Sequence, residues 1–206
     1  MKDFWNERYS EPGFMYGTEP NRFLSSQLDR LSPETILFPA DGEGRNSVYA
    51  ARMGWEVTAF DYSEVAREKA LRLAQEHSVA VEYSVGDMLQ NPFPDRQFKA
   101  LAAIFTHFHD DQKPALLALY DGWIAPGGFL IMEVFSKRQI HYQELYPQSG
   151  GPRDVKMLFS VHQLEEAFAH YDFEVIRETE TELREGLHHV GKSSVIQIVA
   201  RKPLSF

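Results

Sequence analysis

The chain has 206 residues, 43% hydrophobic and 25% charged, which suits one domain with a sizeable core. Its formal charge of -9 disfavours a nucleic-acid partner, because phosphate binding needs clustered Lys and Arg to displace counterions. It contains no cysteine, which excludes disulfides, thiolate metal sites and a cysteine nucleophile. The first nine residues are charged and aromatic and lack the apolar core of a signal peptide. Nowhere do the roughly 18 apolar residues of a spanning helix occur, so we expect a cytoplasmic protein.

From Ile36 onward, short apolar runs alternate with longer helical stretches. That pattern predicts an α/β fold, a mostly parallel, doubly wound sheet with helices on both faces. The first strand is expected over 35–40 and ends in the turn Asp41, Gly42, Glu43, Gly44. A helix carrying Val48, Tyr49, Ala50 and Ala51 follows and stops at Gly54. The second strand, 56–60, ends at Asp61, and Ser63 caps a helix through Ala66, Ala70, Leu73 and Ala74. Residues 79–85 predict the third strand, closed by Gly86 and Asp87. Residues 99–105 form a near-continuous apolar run that suits a central strand buried on both faces. A helix over 112–124 stops before Pro126, Gly127 and Gly128, whose turn launches the fifth strand, 129–134. Residues 135–157, with Gly150, Gly151 and two prolines, are expected to be irregular, and such long segments are usually functional. A helix over 161–170 comes next. The last two strands, 173–183 and 195–201, pair antiparallel through the connection 185–192.

In an open α/β sheet the ligand sits at the carboxyl ends of the strands, where the strand order reverses. Gly42 and Gly44 let the backbone approach a bound group there, although a plain strand-to-helix turn has the same need for glycine. Asp61 stands where a carboxylate accepts the ribose hydroxyls of an adenosine; as an alternative it only caps a helix. Asp87 is placed to accept a hydrogen bond from the exocyclic amine of adenine, with Met88 packed on the ring. A pyrophosphate cofactor wants a loop free of negative charge. Asp41 and Glu43 instead favour the ammonium and sulfonium of S-adenosylmethionine, and Ser47 replaces the third glycine of the dinucleotide fingerprint. A dehydrogenase is therefore the weaker reading.

These residues also carry a family resemblance. The stretches Phe4-Trp5-Asn6-Glu7-Arg8-Tyr9, Tyr16-Gly17-Thr18-Glu19-Pro20, Ala40-Asp41-Gly42-Glu43-Gly44-Arg45-Asn46, Asp61-Tyr62-Ser63 and Gly86-Asp87-Met88 resemble class I S-adenosylmethionine-dependent methyltransferases. Later pieces, Ile104-Phe105-Thr106-His107, Pro126-Gly127-Gly128, Ser149-Gly150-Gly151-Pro152 and Glu185-Gly186 with His189 and Gly191, look like the tellurite-resistance-related and thiopurine-methyltransferase-like branch. The resemblance spans nearly the whole chain and implies a Rossmann-like, seven-stranded sheet completed by the last antiparallel hairpin. It implies a cofactor site drawn from Trp5, Tyr16, Ala40, Asp41, Gly42, Gly44, Asn46, Asp61, Tyr62, Ser63, Gly86, Asp87, Met88 and Phe105. The chain departs from the family at Phe38, where an acidic residue is usual, and at Ala40, where the first loop glycine is usual. Asp41 or a backbone carbonyl is expected to meet the methionine amino group instead.

Methyl transfer from a sulfonium is an in-line displacement, so aligning donor and nucleophile in a dry pocket does most of the work. Where the acceptor must lose a proton, His107 is the first candidate base; the other reading is a histidine that bonds backbone at a strand end. Phe105 and Trp5 either face the sulfonium and the acceptor or belong to the core. Arg138, Arg153, His188 and His189 are candidates for orienting a small-molecule acceptor, or are solvated surface groups. His107, His109 and Asp111 also reproduce most of the His-x-His-x-Asp pattern of dinuclear metallohydrolases, with Gln112 where a further histidine is usual. A nucleotide-binding protein without turnover is the third reading, and oligomeric state is not legible.

Overall fold

The computed structural model describes residues 2–204. Seven strands form one sheet, β1 (Thr35–Pro39), β2 (Glu56–Asp61), β3 (Glu82–Val85), β4 (Phe98–Ile104), β5 (Ile124–Phe135), β6 (Asp172–Glu185) and β7 (His189–Arg201). Their order is β3-β2-β1-β4-β5-β7-β6, and only β7 runs against its neighbours. The sheet reverses between β1 and β4, where successive connections leave to opposite faces and a crevice opens. The expected Rossmann-like, mostly parallel seven-stranded fold is present.

Side chains alternate along the central strands and split the core in two. Ile36, Phe38, Ala100, Ala102 and Ile131 face one side, where α2 (Arg22–Leu28), α3 (Arg45–Arg52) and α4 (Glu64–Glu76) cover them. Leu37, Leu101, Ala103, Leu130 and Met132 face the other, under α5 (Lys113–Trp123) and α7 (Val161–Ala167). Ser63 caps α4 as expected, its hydroxyl accepting from the Ala66 amide at 3.1 Å. Ser160 and Gln163 close a capping box on α7. Among the described residues no helix is long and apolar enough to cross a membrane.

Several boundaries differ from expectation for identifiable reasons. The third strand starts at Glu82, because Ser78 turns left-handed (φ 57°) and the Val79 amide still bonds the Ala74 carbonyl, closing α4. The fifth strand reaches back to Ile124: Pro126, Gly127 and Gly128 bulge out between the pairs Phe98↔Ile124 and Ala100↔Phe129. The final hairpin is longer than predicted, pairing down to Glu185↔His189 and leaving only residues 186–188 as its turn. Its charged outer positions hide the strand from an apolar pattern. The segment 135–157 is not irregular throughout, since it holds α6 (Gln139–Leu145). That helix buries Gln139, Tyr142 and Gln143 rather than an apolar stripe. The two amides serve carbonyls: Gln139 Nε2 reaches Gly150 O at 3.0 Å, and Gln143 Nε2 reaches Gly151 O at 2.8 Å. The remaining helix, α1 (Lys2–Tyr9), was not anticipated, nor was α2.

Candidate active site

A cavity of about 680 Å³ opens at the carboxyl ends of β1, β2 and β4, within the size range of small-ligand sites. Its floor is the loop after β1. Ala40 takes the left-handed conformation (φ 51°) that glycine adopts more readily, which turns the chain at once toward α3. Gly42 (φ 65°) lies so close to Tyr9 that a Cβ there would sit 2.7 Å from the phenol oxygen. Phe38, the departure from the family pattern, is buried in the core.

Two carboxylates stand at this floor. Asp61, at the tip of β2, accepts the Gly42 amide on Oδ2 at 3.1 Å and the Ser63 amide on Oδ1 at 3.0 Å. Burial lifts its pKa to about 6 against the pull of the Ser63, Gly42 and Tyr62 amides, and of the roughly four lone-pair positions of a carboxylate some acceptor capacity is left. Asp41 accepts the Ser47 hydroxyl on Oδ2, while its Oδ1 is buried without a partner. Burial raises its pKa to about 7, with Ser47 opposing and Asp61 adding to the rise. A buried carboxylate oxygen left unmatched beside a cavity suits a ligand that brings a cation. The other loop carboxylate does not have this role. Glu43 is buried, paired with Lys69 at 2.8 Å, and accepts the Met15 amide at 2.7 Å. Lys69 also donates to the carbonyls of Glu11 and Gly13 at 2.9 and 2.6 Å. The pair thus straps residues 11–15 over the loop, and only Asp41 remains to face a positive group.

The walls are aromatic. Trp5 stacks on Tyr9 with centroids 5.5 Å apart, and Tyr16 leans on His189 at 4.5 Å. Phe105 stacks on Phe135 at 4.6 Å. Its left-handed backbone (φ 54°) ends β4 at the cavity, a strained conformation of the kind that concentrates at functional sites. Asn46 and Tyr62 also line the space, and Asn46 Oδ1 holds the Asn21 amide at 2.9 Å. The aromatic and carboxylate donor set therefore fits S-adenosylmethionine, whose ribose, ammonium and sulfonium ask for acceptors and π faces.

Not every predicted residue borders the cavity. Gly44 is a packing glycine: a Cβ there would meet Ala70 Cβ at 2.6 Å. Ser63 is consumed by its cap and by a bond to Asn6 at 2.6 Å. Met88 lies in the core, and Gly86 does not reach the lining. Asp87 caps the turn over 88–90 through the Leu89 amide and accepts the Tyr62 hydroxyl at 2.6 Å, so it orients Tyr62 from behind. Arg138 is an exposed residue at the start of α6. Arg153 and His188 stand at the exposed rim, whereas His189 is buried in the wall.

His107 lines the cavity, yet both ring nitrogens are engaged. Nδ1 is 3.1 Å from the Met157 carbonyl, and Nε2 accepts the Phe135 amide at 3.3 Å. Burial drops its pKa to about 3, so it stays neutral with no free lone pair, which removes the basis for naming it the base. The metal-site reading also finds no support in its geometry: His109 turns outward to Asp154 at 3.0 Å. Among the described residues no group of three His, Asp or Glu converges as metal ligands.

Sequence reasoning missed Phe4, Arg8, Tyr9, Arg45, Phe135 and Gln143, all of which line the cavity. Phe4, Trp5, Arg8 and Tyr9 follow the i, i+1, i+4, i+5 spacing of one helix face, a signal that was available.

The sheet order, the reversed β7 and a carboxylate-floored cavity at the switch point define a Rossmann-like α/β protein with a small-ligand crevice. Residues 36–128 match the family described as a methyltransferase domain, and the chain carries an S-adenosylmethionine-dependent methyltransferase domain. Among curated relatives, phosphoethanolamine N-methyltransferase 3 of Arabidopsis thaliana is 28% identical over 129 residues, 61% of this chain and 26% of that protein. The chain thus spans about a quarter of the length of the first relatives it matches. Two solved structures share the fold. TehB from Haemophilus influenzae superposes with a TM-score of 0.72 at 16% identity, covering 98% of this chain and 66% of that one. Magnesium protoporphyrin IX methyltransferase (ChlM) from Synechocystis PCC 6803, with bound SAH, gives 0.70 at 14% identity, covering 98% and 97%.

Proposed function

We propose that the chain transfers a methyl group from S-adenosylmethionine to a small-molecule acceptor, and that it belongs to the tellurite-resistance-related, thiopurine-methyltransferase-like branch. The observation that carries the reading is the pair of carboxylates at the cavity floor, Asp61 with acceptor capacity to spare and Asp41 with a buried, unmatched oxygen. In this assignment Asp61 holds the ribose, Asp41 the amino group, and Tyr16, Trp5 and Phe105 shape the space around the sulfonium. When bound, the cofactor would supply an electrophilic methyl carbon on positive sulfur, and the acceptor would supply the lone pair that takes it. The chain's own part is to bind, align and exclude water. The branch assignment is supported by its motif residues Tyr16, Gly17, Gly150, Gly151 and His189, which share the cavity lining. The acceptor class is supported by the relatives, which include phosphoethanolamine N-methyltransferases of Arabidopsis thaliana.

The test has two stages. S-adenosylmethionine and S-adenosylhomocysteine are expected to raise the melting temperature while NAD does not; a shift with NAD alone would overturn the assignment. A screen of small acceptors, read by S-adenosylhomocysteine release, then separates an enzyme from a nucleotide-binding protein without turnover.

A further inference from the structure

With both nitrogens of His107 held by backbone, a different group must take a proton if the acceptor carries one. A second imidazole stands on the other side of Phe135, whose ring lies 5.5 Å from His107 and 5.4 Å from His189. The two histidines use their nitrogens differently. His189 Nδ1 faces Glu185 Oε2 at 3.1 Å, while Nε2 has no hydrogen-bond partner among the described residues. Glu185 is held as a carboxylate. Burial works against its charge, but Arg45 at 2.8 Å and His189 more than offset this, and its pKa stays at about 2. Its second oxygen accepts from Asn21 Nδ2 at 3.1 Å. An ionised acceptor on Nδ1 requires the proton to sit there, which leaves the free lone pair on Nε2.

His189 is buried in the cavity wall, among the residues that line the space. Tyr16 and Phe105 clamp the imidazole at centroid distances of 4.5 and 4.7 Å. Gly150 (φ 84°) lies against the Nε2 side, where a Cβ would sit 2.3 Å from Cδ2 and 2.9 Å from Nε2. Only a residue without a side chain fits so close to the ring.

We infer that His189 is the proton acceptor of this site and Glu185 its positioning residue, so that the site takes a small nucleophile arriving with its proton, such as a thiol or phenol. The inference rests on the methyl-transfer reading. In the step, the heteroatom–hydrogen bond breaks, its electron pair stays on the heteroatom, and the proton bonds to Nε2. The resulting imidazolium faces the Glu185 carboxylate, so the transferred positive charge meets a negative partner already in place. At rest His189 is neutral, because burial lowers its pKa more than Glu185 raises it. The other ionisable groups near it are Arg45 of α3, Arg8 of α1, Tyr16, His188 in the hairpin turn, and neutral His107 beyond Phe135.

The test uses the full chain labelled with ¹⁵N-histidine, saturated with S-adenosylhomocysteine, and thiophenol as the probe. His189 is expected to show a protonated Nδ1 and a bare Nε2, and thiophenol to drive Nε2 to the imidazolium signal. In Glu185→Gln the titration midpoint of His189 should move down and the fixed tautomer be lost, which a purely structural role would not produce. A proton on Nε2 at rest, or a signal unmoved by thiophenol, overturns the inference. Failure of the wild-type chain to bind S-adenosylhomocysteine by calorimetry sinks the methyltransferase reading instead.

Discussion

The Gly42 amide donates to Asp61 Oδ2 at 3.1 Å, so the tip of β2 holds the glycine loop of β1 in place. One carboxylate thus shapes the loop and keeps lone pairs for a ligand. Asp61→Ala is expected to weaken S-adenosylmethionine binding by about 1–3 kcal/mol, the scale of a lost hydrogen bond to a charged group. Calorimetry at pH 8 checks this, and an unchanged affinity removes Asp61 from the site.

Asp41 makes binding depend on pH. Its pKa of about 7 in the free protein means that a proton occupies the carboxyl below neutrality. A cation prefers the ionised form, so affinity should rise from pH 5.5 to 8, and binding near pH 6 should release a proton. Titrations in two buffers of different ionisation enthalpy detect that release, and Asp41→Asn should remove the part centred near pH 7, leaving a smaller step near pH 6 from Asp61. The same raised pKa implies that the ligand-free fold gains stability from this group at low pH and loses it as pH rises through about 7. Asp41→Asn should therefore flatten that part of the stability profile.

His107 has the opposite sign. Its folded pKa of about 3 lies below the ordinary value, so the unfolded chain binds the extra proton. Its contribution to stability is complete above about pH 6.5 and is lost as pH falls toward 3. Measured against His107→Asn at each pH, the wild type should lose urea midpoint as pH falls across that window. A variant that follows the wild type would show that the imidazole is not held neutral.

The strap between Lys69 and Glu43 is a buried ion pair. Lys69→Met leaves the Glu43 carboxylate without its partner and frees the carbonyls of Glu11 and Gly13. The expected cost is about 3 kcal/mol, and a larger entropic opening of residues 10–16 should appear as faster amide exchange there. Equal stability with unchanged exchange would show that this segment is held by its aromatic contacts alone.

The parallel core was legible because its signals are local. Residues 36–38, 57–60, 100–104 and 130–134 are predominantly apolar runs, and such runs declare strands without reference to anything distant. The helix α6 was not, because its buried face is made of glutamines whose partners, the carbonyls of 150–152, lie elsewhere in space. Sequence position likewise suggested Asp61 and Asp41 for the floor, but it could not show that Glu43 is spent on Lys69 or that Asp87 stands behind Tyr62.

By itself, the sequence determined the α/β class, the strand tips and the preference for a positively charged ligand, since each depends on residues adjacent in the chain. Tertiary structure alone decided which histidine keeps a lone pair. His107 and His189 are both strand-end imidazoles in aromatic company, and the difference lies in what distant segments bring to them: two backbone groups for one, a carboxylate and a bare glycine for the other.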